Sequence, residues 1–274
     1  MARIAIIGLV GRSMFFDVPR FHTGGETITA RGLYEEWGGK GFNQAVAAAR
    51  QDAAVSFLGA VNAADAKALK DFCVQEGLVA ILAAKKAPTA CAAILTDGSG
   101  ETRVTVYPGA ELEPRDVDAF AGKIAMADFL LLNNEVPESV NLAAVEIARQ
   151  YGVKIIFNPA PARKLPQEIL DAVSIFTPNE FESLELGAES LELKAEVITT
   201  LGARGCKIRS TGEEIPAPSA KAVDSTGAGD TFNAVLAVRL AEGETLHDAC
   251  VAANAAASQS VAVRYVMPSL PKRG

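Results

Sequence analysis

Phe129-Leu130-Leu131-Leu132, then the segment 138–150, then Lys154-Ile155-Ile156-Phe157, sets the architecture of this chain. Four apolar residues in a row suit a strand covered on both faces, because a strand with one wet face carries a polar residue at every second position. The intervening segment has its apolar residues at helical spacing. Strand, helix and strand joined this way make a parallel crossover unit. The pattern continues on either side. Strand-like runs at 4–10, 55–60, 173–176 and 196–201 alternate with helix-like runs at 42–50, 65–75, 179–186, 228–241 and 246–263. The expected fold is α/β, a mainly parallel sheet with helices on both faces in three layers, and one domain over 1–274.

Two stretches break the alternation. Residues 27–37 read as extended. Residues 89–96 and 102–107 read as two strands around Asp97-Gly98-Ser99-Gly100, which is hairpin turn chemistry. Segments at about 12–37 and 89–107 are therefore expected to form a small accessory sheet, either a lid over a cleft or a plain edge hairpin. Its open strand edges offer a route to a homodimer.

The chain has 274 residues, 49% of them hydrophobic and 22% charged, which is ordinary globular composition. A net charge of −7 disfavours a nucleic-acid partner, since a phosphate backbone asks for a basic face. No run is long and apolar enough to span a bilayer. The apolar run after Arg3 is short and lacks a small-residue cleavage site, so it reads as a buried first strand rather than a signal peptide. Cys73, Cys91, Cys206 and Cys250 form no Cys-x-x-Cys pair and fit reduced thiols in a cytoplasmic protein. His22 and His247 are the only histidines, which excludes a histidine-rich metal centre.

The chemistry concentrates in Asp224-Ser225-Thr226-Gly227-Ala228-Gly229-Asp230-Thr231-Phe232, at the start of a strongly helical run. Small residues at Gly227, Ala228 and Gly229 let the unpaired N–H groups of a helix start face open space, a natural anion hole. Asp230, in the first helical turn, is placed to take a proton from an attacking hydroxyl. An acid here is also favoured by the helix dipole alone. Gly38-Gly39-Lys40-Gly41-Phe42-Asn43-Gln44 opens another helix, with Lys40 and Asn43 as donors. Asn158-Pro159-Ala160-Pro161-Ala162-Arg163, Thr177-Pro178-Asn179-Glu180-Phe181-Glu182 and Thr200-Leu201-Gly202-Ala203-Arg204-Gly205 each follow a strand, at the end where open α/β sheets bind ligands. Each has a plain explanation as loop chemistry.

In this order the motifs resemble the ribokinase-type carbohydrate kinases, the PfkB family, over essentially the whole chain. The resemblance implies a ribokinase-like sandwich with a β-sheet lid, and ATP-dependent phosphorylation of a hydroxyl on a sugar-like small molecule. It implies Asp230 as catalytic base, with Gly227, Ala228 and Gly229 as the anion hole. ATP would be held through Asn179, Glu182, Thr200, Gly202, Gly205 and Asn254. Glu182 would help place Mg²⁺ through water, and Asp224 and Thr226 a monovalent cation such as K⁺. Gly39, Lys40, Asn43 and Glu135 would contact the sugar. Arg163 is set apart as a structural salt-bridge partner.

Four departures from that pattern stand out. Gly11 and Ser13 replace an Asn and an Asp that would hold sugar hydroxyls; losing such pairing can change discrimination by on the order of 10⁴. Arg12 beside them suits either an anionic substrate or a plain exposed position. Asn62-Ala63-Ala64 replaces Gly-Asp-Asp, with Asp65 displaced. The segment between Leu186 and Glu196 is too short for an extra helix. Tyr265 stands where a glycine is expected in the late loop that bears on the cation site and the final helix. Ribose, another pentose or hexose, a sugar acid and a nucleoside stay open as substrates. A catalytically weak sugar-binding or regulatory protein on the same fold is the competing reading, and a dinucleotide-binding protein a more distant one, since Gly8-x-x-Gly11 is an incomplete fingerprint.

Overall fold

The computed structural model describes residues 1–99, 101–187 and 193–273. In chain order the strands are β1 Arg3–Ile7, β2 Gly11–Asp17, β3 Gly32–Gly38, β4 Ala54–Asn62, β5 Val79–Lys85, β6 Ala90–Thr96, β7 Thr102–Tyr107, β8 Phe129–Asn133, β9 Lys154–Asn158, β10 Ile175–Phe176, β11 Glu196–Thr200, β12 Cys206–Ile208 and β13 Glu214–Ile215. The helices are α1 Lys40–Ala49, α2 Ala66–Gln75, α3 Pro114–Asp118, α4 Ala121–Ala125, α5 Glu138–Tyr151, α6 Gln167–Ala172, α7 Glu180–Leu186, α8 Ala228–Ala241, α9 Leu246–Ser260 and α10 Val266–Ser269.

The crossover unit read from the sequence is β8-α5-β9, and its two strands pair in parallel, Phe129 opposite Lys154. It sits within a nine-stranded sheet of order β13-β12-β11-β10-β9-β8-β1-β4-β5. Strands β5 to β11 along this order are parallel, while β12 and β13 turn back antiparallel at one edge. Side chains alternate across the sheet and divide the core. Ile4 and Ile6 face the side of α1, α8 and α9, with Phe42, Phe57 and Phe232. Ala5 and Ile7 face the side of α3 to α6, with Phe120, Phe157 and Phe176. Burial on both faces is why these strands read as unbroken apolar runs.

The accessory sheet has the order β3-β2-β6-β7, with β2 and β6 parallel and the outer pairs antiparallel. Every residue of the edge strand β7 is exposed. Where α1 meets the main sheet, a methyl on Gly41 would fall 2.6 Å from the Cα of Gly8, and the reverse holds as well. The helix therefore rests on the tip of β1 backbone against backbone.

Several boundaries differ from expectation, each for a local reason. Strand β5 was not anticipated; its Ala-rich, half-exposed run carries little strand signal. Strands β12 and β13 are too short to give a period. Residues 8–10 leave β1 after the Gly8 N–H has bonded the Leu58 carbonyl. Val173 ends α6 and leaves β10 only two residues. Helix α9 stops at Ser260 rather than 263. Of the extended segment 27–37 only residues 32–37 pair with β2, and the pairing runs on to Gly38. In the β6–β7 turn Asp97 Oδ1 accepts the Ser99 N–H at 2.8 Å, while Gly100 lies outside the described residues. So do 188–192, the middle of the short segment between Leu186 and Glu196. No helix among the described residues is long and apolar enough to cross a membrane.

Candidate active site

The parallel strands β9, β10 and β11 all end on the same side of the sheet, so Asn158 at the tip of β9 and the loops carrying Asn179 and Gly202 gather there with the start of α8. They line a cleft of about 580 Å³ that brings together Lys40, Asn179, Glu182, Thr200, Gly202, Thr226, Gly227, Gly229 and Asp230. A second, more apolar cavity of about 500 Å³ adjoins it, sharing Thr200, Gly202 and Gly229 and reaching Gly205 and Asn254.

Gly227 precedes α8 with φ 79°, and a Cβ there would meet Val266 Cγ1 at 2.6 Å, so only glycine fits this turn. The Thr231 Oγ1 hydroxyl and the Asn233 amide donate back to the Gly227 and Gly229 carbonyls at 3.0 and 2.9 Å. The N–H groups of Gly227, Gly229 and Asp230 have no protein acceptor among the described residues. Ala228 differs from expectation: its N–H closes the turn onto the Ser225 carbonyl at 3.3 Å. The N–H groups left open at this turn are those of Gly227, Gly229 and Asp230.

Asp230 is buried at the cleft floor, 6% exposed. Asn43 Nδ2 donates to its Oδ2 at 2.8 Å and Gln44 Nε2 to its Oδ1 at 3.2 Å. Burial raises its pKa, with Lys40 and the two amides pulling the other way. A carboxylate has about four acceptor positions, so room is left for a substrate hydroxyl. The outcome is an oriented carboxyl group that is more basic than usual. Gln44 is a neighbour of the carboxylate that sequence reasoning misses; a glutamine on an otherwise apolar helix face is its signal.

Lys40 opens α1, and its ammonium is held above its ordinary pKa chiefly by Asp230, with Glu135 and Glu182 adding to it. Its backbone N–H donates to Glu135 Oε2 at 2.7 Å. Burial pushes the Glu135 carboxyl up to about 7, against the pull of Lys40. The native state therefore holds this proton between about pH 4.5 and 7 while the unfolded chain has lost it. On that account stability falls as pH rises through the window and levels off above it. Glu135→Gln is expected to remove the fall. Thermal midpoints of both proteins from about pH 5 to about pH 8 check this, and parallel curves would contradict it.

Asn179 and Glu182 form a reciprocal capping box at the start of α7: the Asn179 side chain accepts the Glu182 N–H at 2.8 Å and Glu182 Oε2 the Asn179 N–H at 2.9 Å. Glu182 Oε1 has no protein donor among the described residues and lies on the cleft wall, which fits a magnesium-bound water. Asn254 lines the second cavity, but its amide group donates to the Ile215 carbonyl at 3.0 Å and towards Cys206 Sγ at 3.5 Å. Gly39 stands before α1 and Gly205 ends the short helical turn 202–204. Asp224 accepts the Thr226 N–H at 2.9 Å on Oδ1 and the Tyr265 N–H at 3.0 Å on Oδ2. The neighbouring Val261 carbonyl already takes two N–H groups. Each Asp224 oxygen thus carries one backbone N–H and keeps a further acceptor position.

At the sugar end, a side chain on Gly11 would collide with the Ala90 carbonyl at 2.4 Å, so the position cannot carry an asparagine here. The Ser13 hydroxyl has no hydrogen-bond partner among the described residues. Arg12 is committed: it pairs with Asp65 at 3.1 Å and lies 4.0 Å over the Trp37 ring. Asp65 in turn accepts the Thr89 hydroxyl at 2.5 Å. Among the described residues Arg163 forms no salt bridge; its guanidinium donates to the Val136 carbonyl at 3.0 Å. Cys73, Cys206 and Cys250 are buried free thiols, and Cys91 is half-buried.

The sequence pattern of the pfkB family carbohydrate kinases matches residues 1–273. A ribokinase of Haemophilus influenzae is 34% identical, covering 98% of this chain and 95% of its own. The crystal structure of a Thermotoga maritima ribokinase superposes with a TM-score of 0.89 at 31% identity, over 100% and 97% of the two chains. An Arabidopsis thaliana ribokinase complexed with ribose and ATP gives 0.87 at 27% identity, over 99% and 96%.

Proposed function

The chain belongs to the pfkB family of carbohydrate kinases, and we propose that it moves the terminal phosphoryl group of ATP onto a hydroxyl of a sugar-like substrate with Asp230 as the base. One observation carries this: a buried, amide-oriented carboxylate lies beside three unpartnered N–H groups at a helix start. In-line phosphoryl transfer needs positioning and charge neutralisation more than covalent chemistry. Asp230 takes the hydroxyl proton. The N–H groups of 227, 229 and 230 face the charge that develops on the migrating group. Lys40, among three carboxylates, supplies positive charge on the same path. Glu182 would hold Mg²⁺ through water, and the ion would supply charge neutralisation on the phosphates. The second cavity, apolar and beyond the anion hole, suits the nucleoside of ATP. The exposed edge strand β7 is where two copies of the lid would pair.

With Gly11 barred from a side chain and Ser13 offering one hydroxyl, the substrate is held from the Glu135 and Asn43 side more than from the lid. ATP consumption against ribose, other pentoses, hexoses, sugar acids and nucleosides tests the proposal. Turnover with at least one acceptor, above the rate without acceptor, is expected. Ligand binding with no turnover across the panel would make the chain a sugar-binding protein instead.

A further inference from the structure

Lid strand β3 is bonded to the phosphoryl-receiving turn through residues outside the catalytic set. Glu36, buried on β3, accepts the Val266 N–H on Oε1 and the Met267 N–H on Oε2, each at 2.9 Å. Two residues earlier on the same face, Tyr34 stacks on Tyr265 with ring centroids 3.9 Å apart and 17° between planes. Phe15 of β2 meets the same ring edge-on at 5.1 Å. Tyr265 has φ 69° and ψ 159°, a conformation open to glycine and costly for any other residue. A tyrosine persists there because its surroundings hold it, and the surroundings are the lid. On its other side, the Tyr265 N–H bonds Asp224, which bonds the Thr226 N–H, and Val266 presses on the open face of Gly227.

We propose that Glu36 and Tyr265 are positioning residues: they clamp lid strand β3 to the 264–267 loop and through Asp224 fix the turn at 226–230, so that the lid sets the anion hole. The clamp rests on the assignment of that turn to the migrating phosphoryl group. It joins two segments by two carboxylates, an aromatic stack and backbone N–H groups. Neither residue touches the substrate path; both act through the turn.

Hydrogen exchange on the whole protein, with nucleotide titration alongside, tests the clamp. In Glu36→Ala and Tyr265→Gly, exchange is expected to quicken at 263–270 and also at 224–230. ATP affinity in the presence of Mg²⁺ should weaken by about tenfold, the scale of coupling between sites, with ADP affinity little changed. Tyr265→Phe, which keeps the ring, should behave as wild type in both readouts. Faster exchange confined to 263–270, or equal losses for ATP and ADP, would reduce the clamp to a local staple and overturn the proposal. Failure of the wild-type protein to bind ATP would overturn the kinase reading first, and the clamp with it.

Discussion

Asp230→Asn is expected to cut turnover by about 10²–10⁴-fold while leaving ATP binding close to wild type. The substitution keeps the shape of the side chain and removes its ability to take a proton. Asn43 and Gln44 each donate to a carboxylate oxygen of Asp230, so an amide at 230 can satisfy only one of them and must set its own N–H₂ against the other. The protein should nonetheless fold at least as well, because burial already works against a charge at this position. Steady-state kinetics with the best acceptor and calorimetric titration of ATP separate the two effects. A variant with near-normal turnover would remove the base from residue 230.

Lys40→Met is expected to be nearly as damaging, about 10²–10³-fold in turnover, the scale seen when one preorganised donor to a developing charge is lost. The ammonium is drawn towards Asp230 first and Glu135 and Glu182 after it, and among the described residues it has no hydrogen bond of its own. A cation held by field rather than by a fixed partner can follow a phosphoryl group along its path. Without it, the carboxylates of Asp230 and Glu135 repel one another and the charge arriving beside them. Lys40→Arg, with its charge retained in a planar fork, should recover part of the rate. If methionine altered only the KM for the acceptor, the lysine would be a substrate contact, as the family resemblance alone suggests, and not a partner of the phosphoryl group.

The main sheet was legible because its strands are buried on both faces, and unbroken runs such as 129–132 have few other readings. The start of α8 was legible for a different reason: glycines, an acid and a helix coincide within a few residues. What escaped depends on contacts between distant segments. Nothing in the neighbourhood of Glu36 announces that its carboxylate will take the N–H groups of residues 230 and 231 positions further on. Nor does the sequence near Asn254 show that its amide turns to the Ile215 carbonyl rather than into the cavity it lines. Asn179 and Glu182 illustrate a third case. The spacing reads equally as a ligand pair and as a capping box; the structure forms the box, and leaves one Glu182 oxygen without a protein donor among the described residues.

The seat of α1 on β1 bears on how this chain can change over time. Because Gly8 and Gly41 leave no room for a methyl between them, the two positions form a single mutational unit. Enlarging either would lift the helix that carries Asn43 and Gln44 away from the carboxylate they orient. Drift at residues remote from the reacting atoms would then surface as lost chemistry while the protein remained folded.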